Sequence, residues 1–593
     1  MKFLRIFFAS LLAVIVGSIL SFFIWVALIS GMASSLQNEA PTVVGDSSVL
    51  VINMNESITD TPDANPLNSF NVATMSSTKN IALIEVLRAI EAAAQDVRIK
   101  GIEIHLTGEG TATLSTLEEL RVALVEFKAS KKFIIAYNDI YSQASYYLAS
   151  VADKIYIQPE GDMSWIGMGS TLMFYKGALD KLGVKAEIFR PTACKYKSAV
   201  EPFFRTEMSK ENREQTEAFI NDLWNEIVTT VSQSRGIAEK DLQRMASNFE
   251  IMTSDDALKA KLVDAVIYED ELKQIYKDLG VDENYTSISL GEYVKQIVPT
   301  EVQKDTIGII YAEGEIFYGE NDAQDIYSKT LCEKINKARE DKNIKAVVLR
   351  VNSPGGSALA SDLIWREIER LKQEKPVIVS MGQYAASGGY YISCGTDAIL
   401  CDKTTITGSI GVFGLMLEGG QLIEQKFGIT TDVVKTNDSS DFGNGIFGLN
   451  IRGLKPTERA AFIRSVDKVY ATFTGKVAKG RNLDINKVLD IAGGRVWSGT
   501  DALEIGLVDG IGGLKQAIAI AADKANLKDF STVTVEGEQS PMKMLMKMLN
   551  AKISAVLPRN NDAISTAARE YDAALKQMTR TGIQAYCPYR ISF

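Results

Sequence analysis

The chain has 593 residues, a formal net charge of −10, and a composition that is 46% hydrophobic and 23% charged. This length exceeds what one hydrophobic core usually serves, so two or more domains are expected, and the ordinary composition excludes extensive disorder. The acidic balance offers no electrostatic footprint for nucleic acid, which is therefore not expected as a partner.

The N-terminus begins with a long apolar segment. Residues 6–38 contain no charge, and their first stretch of about 24 residues is almost wholly apolar. At about 1.5 Å per residue, such a helix crosses a hydrocarbon core of about 30 Å. Lys2 and Arg5 precede it, so the positive-inside rule places the N-terminus in the cytoplasm and the rest outside. We expect residues 1–38 to be an uncleaved anchor; a cleaved signal peptide is the alternative, although its apolar region is normally shorter.

The remainder of the chain is duplicated. Three separated pairs of similar segments recur at nearly one offset. They begin at Asp96 and Asp341 (offset 245), at Tyr146 and Tyr390 (offset 244), and at Asp256 and Asp501 (offset 245). Each copy alternates strands and helices, which indicates an α/β fold with a mostly parallel sheet. We expect a first repeat over residues 39–296 and a second over residues 297–593.

In the second copy, Ala346-Val-Val-Leu-Arg-Val predicts a strand that is closed by the breaker Asn352-Ser-Pro-Gly-Gly. A helix follows, and four residues are spaced to share its apolar face: Leu363, Ile364, Ile368 and Leu371. Pro376-Val-Ile-Val-Ser predicts the next strand, and Gly382-Gln-Tyr-Ala-Ala-Ser-Gly-Gly leads into another helix.

The histidine and cysteine content limits which catalytic mechanisms, metal sites and disulfides the chain can have. His105 is the single histidine, so any Ser-His-Asp mechanism would have to use it. It lies in an alternating stretch that predicts a strand, and we expect a structural role. The five cysteines follow no metal-ligand spacing and form no disulfide framework; they are Cys194, Cys332, Cys394, Cys401 and Cys587. No metal or other cofactor is expected.

Ser387 lies in Ala385-Ala-Ser-Gly-Gly, between a predicted strand and a predicted helix. Small neighbours permit a sharp turn, and a helix N-terminus offers free N–H groups to a developing oxyanion. The amide of Gly388 is one candidate donor, and Gly356 at the end of the preceding strand is a second. Considered alone, a glycine-flanked serine is in most proteins only a helix cap.

Four motifs give this serine a more specific interpretation. They begin at Tyr196 (Tyr-Lys-Ser-Ala), Asn352 (Asn-Ser-Pro-Gly-Gly), Ala385 (Ala-Ala-Ser-Gly-Gly) and Thr407 (Thr-Gly-Ser-Ile-Gly). In this order they resemble the signatures of the signal peptide peptidase A (protease IV) family in its long, duplicated form. The resemblance implies two tandem repeats of the Clp protease/crotonase superfamily fold. It also implies site roles: Ser387 as nucleophile, Lys197 as its base, Gly356 and Gly388 in the oxyanion hole, and Ser409 orienting the lysine.

A serine–lysine pair suits this sequence independently. Lysine acts as a base only when neutral, and burial favours that form, so no histidine is needed. The repeat offsets place Gln143 opposite Ser387 and Asp441 opposite Lys197, so each copy holds what the other lacks. This predicts one dyad built from both copies. Two other lysines stay open as bases: Lys195 and Lys435.

We therefore expect a membrane-anchored serine endopeptidase that degrades cleaved signal peptides and other apolar segments at the outer, periplasmic face of the inner membrane. The resemblance also implies a homo-oligomer, most simply a tetramer. A crotonase-like acyl-CoA enzyme and a catalytically inactive membrane scaffold are the alternatives. The Met-rich run at residues 542–549 predicts an amphipathic helix, and nothing in the sequence explains the tail that begins at Ala585.

Overall fold

The structure is a computed structural model. It describes Gly17 and residues 43–53, 57–62, 70–71, 76–77, 80–106, 111–297, 303–321, 325–443, 445–446, 448–537 and 583–587. The expected anchor (residues 1–38, apart from Gly17) and the Met-rich run lie outside the described residues. Within the described part of the chain, every helix is too short or too polar to span a bilayer.

The first half of the chain forms a six-stranded, wholly parallel sheet. Its strands, in spatial order, are Ala265–Val266, Lys154–Met163, Phe133–Tyr141, Ile99–Ile104, Ser48–Ile52 and Thr286–Ser289. The central strands are apolar and buried because helices cover the sheet. The helices of the first half are Leu83–Gln95, Leu114–Phe127, Gln143–Ala149, Lys176–Leu182, Glu201–Phe204, Lys210–Arg235, Glu239–Ser247, Ser254–Lys259, Leu272–Asp278 and Leu290–Gln296; of these, Lys176–Leu182 and Glu201–Phe204 pack instead against Phe413–Glu418 of the second half.

The second half builds a corresponding eight-stranded sheet. Its main path is Val496–Ser498, Ile406–Gly408, Val377–Ala386, Ile344–Ser353, Thr306–Glu313 and Ser531–Thr534, with Ala398–Cys401 and Gly510–Ile511 branching from it. We call Val377–Ala386 the serine strand and Ile344–Ser353 the central strand. The helices are Ser328–Glu340, Ala358–Lys372, Gly388–Ser393, Pro456–Arg481, Ile485–Ile491, Gly499–Glu504 and Leu514–Lys524.

Buried hydrogen bonds recur at the offset that the sequence predicts. The Tyr146 hydroxyl donates to the carbonyl of Leu262 at 2.7 Å, and the Tyr390 hydroxyl donates to that of Leu507 at 2.8 Å. Tyr390 lies 244 residues after Tyr146, and Leu507 lies 245 residues after Leu262. The paired tyrosines therefore anchor the same helix to the same loop in both halves, as expected for a duplicated fold.

A third sheet combines segments from both halves with the C-terminal tail. Its strands, in spatial order, are Ile326–Tyr327, Ile316–Phe317, Gly355–Ser357, Ile583–Tyr586, Phe413–Glu418, Leu449–Asn450 and Gly445–Ile446, and Lys185–Phe189 also pairs with Phe413–Glu418. We call Gly355–Ser357 the glycine strand, Ile583–Tyr586 the tail strand and Phe413–Glu418 the flanking strand. Two small two-stranded sheets are also present: Ser57–Thr59 pairs with Asn80–Ala82, and Phe70–Asn71 pairs with Ser76–Ser77.

Two local predictions are corrected. Leu363 does not share the buried face of its helix: it is 41% exposed, whereas Ile364, Ile368 and Leu371 are buried. The strand predicted over residues 376–380 is longer than expected, because it runs from Val377 to Ala386 and so includes Gly382. The glycine lies where the register of that strand shifts.

Candidate active site

Ser387 occupies a sharp turn between the serine strand and the helix Gly388–Ser393. Its φ of 56° and ψ of −110° are unusual for a residue with a side chain, and its amide donates to the carbonyl of Gly408 at 2.8 Å. Such a strained junction is typical of functional positions. The helix has only six residues, so its dipole contributes little. The amide of Gly388 is therefore the main group of this helix that can stabilise a negative charge beside Ser387.

Lys197 comes from the first half of the chain and packs directly on the second. The Tyr196 amide donates to the carbonyl of Gly493 at 3.0 Å. Gly494 has a φ of +85°, and a Cβ placed on it would lie 2.6 Å from Lys197 Cβ. Only glycine allows the two backbones to approach this closely. The interface between the halves therefore fixes the position of Lys197.

The two predicted catalytic side chains meet. Lys197 Nζ lies 2.6 Å from Ser387 Oγ, 2.9 Å from Ser409 Oγ and 3.0 Å from the Ser409 carbonyl oxygen. Lys197 is 1% exposed, and no carboxylate among the described residues forms an ion pair with it. Burial is the main cause that lowers its pKa to about 7. Near neutral pH the amine is therefore available to accept a proton.

The predicted oxyanion glycines lie beside this pair. Gly355 and Gly356 have φ values of 101° and 155°. A Cβ on Gly355 would lie 2.7 Å from the Gly388 amide nitrogen and 2.1 Å from the Ala585 carbonyl oxygen. Gly356 is the register partner of Ala585 in the antiparallel ladder. Gly355 and Gly388 thus border the carbonyl group of Ala585, and Gly356 lies opposite the same residue of the tail strand.

The tail strand covers the site. It pairs antiparallel with the glycine strand on one side and with the flanking strand on the other. Just beyond it, the Cys587 amide donates to the carbonyl of Pro354 at 2.7 Å. Ser387 is consequently 0% exposed. The strand fills a slot one strand wide, with a peptide carbonyl next to the predicted oxyanion hole.

Both alternative bases lie elsewhere. Lys195 is exposed, and Lys435 forms a surface ion pair with Asp441 at 3.2 Å. Gln143, opposite Ser387 in the repeat, is structural: its side-chain oxygen accepts from the amides of Ile166 and Gly167 at 2.7 and 2.6 Å.

His105 directly follows the strand Ile99–Ile104, and its side chain contacts neither Ser387 nor Lys197. Its Nδ1 lies 3.1 Å from Glu103 Oε1, and its ring packs edge-on against Tyr137. Both neighbours belong to the first half of the chain, and neither takes part in the serine–lysine cluster.

Comparison with known proteins identifies the family. The model of peptidase family S49 matches residues 126–281 and 369–528, and that of Clp protease matches residues 299–403. The chain belongs to peptidase family S49. It is a serine peptidase with two S49 repeats on a Clp-protease-like α/β fold.

Curated relatives agree over most of the chain. Protease 4 of Salmonella typhi is 35% identical over 82% of this chain and 79% of its own length. Protease 4 of Haemophilus influenzae is 35% identical over 77% of this chain and 75% of its own length. Serine protease SPPA, chloroplastic, of Arabidopsis thaliana is 33% identical over 78% of this chain and 69% of its own length. The serine-peptidase hypothesis is therefore confirmed.

Two contributors to the site carried no usable sequence signal. Gly494 is one glycine among 44, and its role depends on an approach between distant segments. The tail strand is too short to show strand periodicity of its own.

Proposed function

We propose that this S49 peptidase is a membrane-anchored endopeptidase in which Ser387 and Lys197 form the catalytic dyad. The separation of 2.6 Å between Oγ and Nζ carries this proposal, together with the burial that lowers the pKa of the amine to about 7. A buried lysine without a carboxylate partner costs stability, and activation of a hydroxyl gives that cost a chemical purpose.

The proposed reaction begins with neutral Lys197. Nζ takes the proton of the Ser387 hydroxyl as Oγ attacks the substrate carbonyl carbon. The oxygen becomes an oxyanion, which the amides of Gly388 and Gly356 stabilise. Protonated Nζ then gives its proton to the leaving amine, and an acyl-enzyme remains on Oγ. Water, deprotonated by the same amine, hydrolyses the ester and restores the serine.

Ser409 orients the base in this scheme. Its hydroxyl and carbonyl oxygens both lie within hydrogen-bond distance of Nζ, so the amine has fixed partners besides Ser387. The Ser409 amide donates to the carbonyl of Arg495 at 2.6 Å, and its φ is 49°. The two contacts hold the free electron pair of neutral Nζ toward the nucleophile.

The substrate binds as an extended strand between the glycine strand and the flanking strand. The tail strand supports this mode because it occupies that slot with a full antiparallel ladder on the glycine side. Strand addition provides affinity through main-chain hydrogen bonds, and alternate side chains provide selectivity. The peptide must displace the tail, because the covered serine has no exposed surface.

The natural substrates proposed are cleaved signal peptides and other apolar segments, cut at the outer face of the inner membrane. The apolar segment at residues 6–38 supports an anchor that keeps the site near the bilayer. A homotetramer is proposed with them, as the resemblance implies.

The test is hydrolysis of an apolar fluorogenic peptide by the full chain in detergent. Ser387→Ala and Lys197→Ala are expected to lose activity, whereas Lys195→Ala and Lys435→Ala, matched lysine controls, keep it. Unimpaired hydrolysis by folded Ser387→Ala would contradict the proposal. Loss in Lys195→Ala with retention in Lys197→Ala would move the base.

A further inference from the structure

The serine strand changes register just before the nucleophile. Val351 of the central strand pairs with Met381, but two residues later Ser353 pairs with Ala385. The serine strand therefore advances four residues while the central strand advances two. The additional length creates a bulge at residues 382–384, and bulges near active sites commonly re-aim side chains.

The Asn352 side chain fills the gap that this bulge opens. Its Oδ1 accepts from the Tyr384 amide at 3.1 Å, so a bulge amide that lacks a partner on the central strand still forms a hydrogen bond. Asn352 also immediately precedes Ser353-Pro-Gly-Gly, which leads to the predicted oxyanion donor Gly356. One side chain thus links the segment that carries the serine to the segment that carries the oxyanion glycine.

Asp60, from the first half of the chain, holds Asn352 in this orientation. Its Oδ2 accepts from Asn352 Nδ2 at 2.9 Å, and Asp60 is 4% exposed. A Cβ on Gly382 would lie 3.0 Å from the same oxygen, so a glycine at the bulge makes room for the carboxylate. The donor and acceptor ends of the Asn352 amide are consequently fixed by different halves of the molecule.

The charge of Asp60 is matched by Arg350, which is 1% exposed. Arg350 Nε donates to Asp60 Oδ1 at 2.8 Å, and Nη2 lies 2.7 Å from the same oxygen and 2.7 Å from Glu119 Oε1. Burial is the main cause that raises the pKa of Glu119, the second carboxyl group beside this guanidinium. Arg350 thus holds Oδ1 of Asp60 while Asn352 holds Oδ2, so contacts at both oxygens fix the orientation of the carboxylate.

We propose that Asp60 and Asn352 are positioning residues for the catalytic centre, acting through the bulge at residues 382–384 to set Ser387 against Gly356. The inference rests on the proposed dyad function. It adds a second route, besides Lys197, by which the first half of the chain controls chemistry in the second. Neither residue touches the reacting atoms.

The test is a swap of the two side chains in the full chain. Asn352→Asp alone sets two carboxylates against each other, and kcat is expected to fall by about 100-fold, the scale of a misplaced catalytic group. In the double variant Asp60→Asn with Asn352→Asp, one carboxylate and one amide again face each other, so at least a tenfold recovery of kcat is expected. KM is expected to change little in both.

Ser380→Ala is the matched control, because it removes only the 2.8 Å hydrogen bond from Arg350 Nη1 and leaves Asn352 in place. It is expected to lower the unfolding midpoint without lowering kcat. The midpoint of the rate-against-pH curve, which reports Lys197, is expected to be the same in every variant. The proposal is overturned if Asn352→Asp keeps wild-type kcat, or if the double variant shows no recovery while remaining folded. An inactive wild-type chain would instead refute the proposed function.

Discussion

The pH dependence of the reaction follows from the burial of Lys197. Its pKa is lowered to about 7 from an ordinary 10.5, so about 9% of the amine is neutral at pH 6, about half at pH 7 and about 91% at pH 8. An unburied lysine would be neutral in about 0.03% of molecules at pH 7, which is lower by more than a thousandfold. Because only the neutral amine accepts the serine proton, acylation is expected to rise with pH and level off above about 8.

The assay is kcat/KM for a fluorogenic peptide between pH 5.5 and 9.5, since this quantity reports ionisations of the free enzyme. A second profile of kcat/KM against pH is measured with an activated ester, whose leaving group needs no proton from the amine. Comparison of the two profiles separates attack by the serine from protonation of the leaving amine. A flat profile, or one still rising at pH 9.5 with a midpoint near 10, would refute the argument that burial activates this amine.

Three further variants test other parts of the structure. Lys197→Met is expected to be inactive but more stable than the wild type near pH 7, by up to about 4 kcal/mol, because at this pH the lysine binds its proton firmly in the unfolded chain and only weakly in the folded chain. For the same reason, the free energy of unfolding of the wild type is expected to rise with pH between about 7 and 10.5. Chemical denaturation of both proteins at several pH values measures these differences. An equal or lower stability of Lys197→Met would contradict this expectation. Gly494→Ala is expected to lower kcat by about 100-fold with little change in KM, since its Cβ would displace Lys197; unchanged kcat would contradict the close approach. A chain that ends at residue 582 is expected to show a lower KM than one that ends at residue 587, because the second keeps the competing tail strand; equal KM values in the two truncations would show that the tail does not compete.

The roles of the site residues were predicted from the resemblance of four short motifs to a known family. Short glycine- and serine-rich motifs specify backbone conformation within a few residues, so the turn at Ser387 and the neighbouring Gly356 and Gly388 could be anticipated. The duplication added that Lys197 and the serine lie in different copies. The structure places their side chains in contact, which spacing alone could not give.

The support around the site was not predictable, because it depends on contacts across hundreds of residues. The strand predicted over residues 376–380 was too short, because the chain continues past a bulge at residues 382–384 that local composition does not reveal. Leu363 followed helical spacing yet lies at the edge of the buried face. Asp60 and the tail strand lie in short segments whose burial is set entirely by distant partners.

Labelling with a fluorophosphonate reagent, followed by peptide mass spectrometry, tests the proposed dyad most directly. The full chain is expected to carry the label on Ser387 alone, at a rate that increases with pH around a midpoint near 7 and that falls sharply in folded Lys197→Ala. Labelling of a different serine, or equal rates in the wild type and Lys197→Ala, would contradict a Ser387–Lys197 dyad.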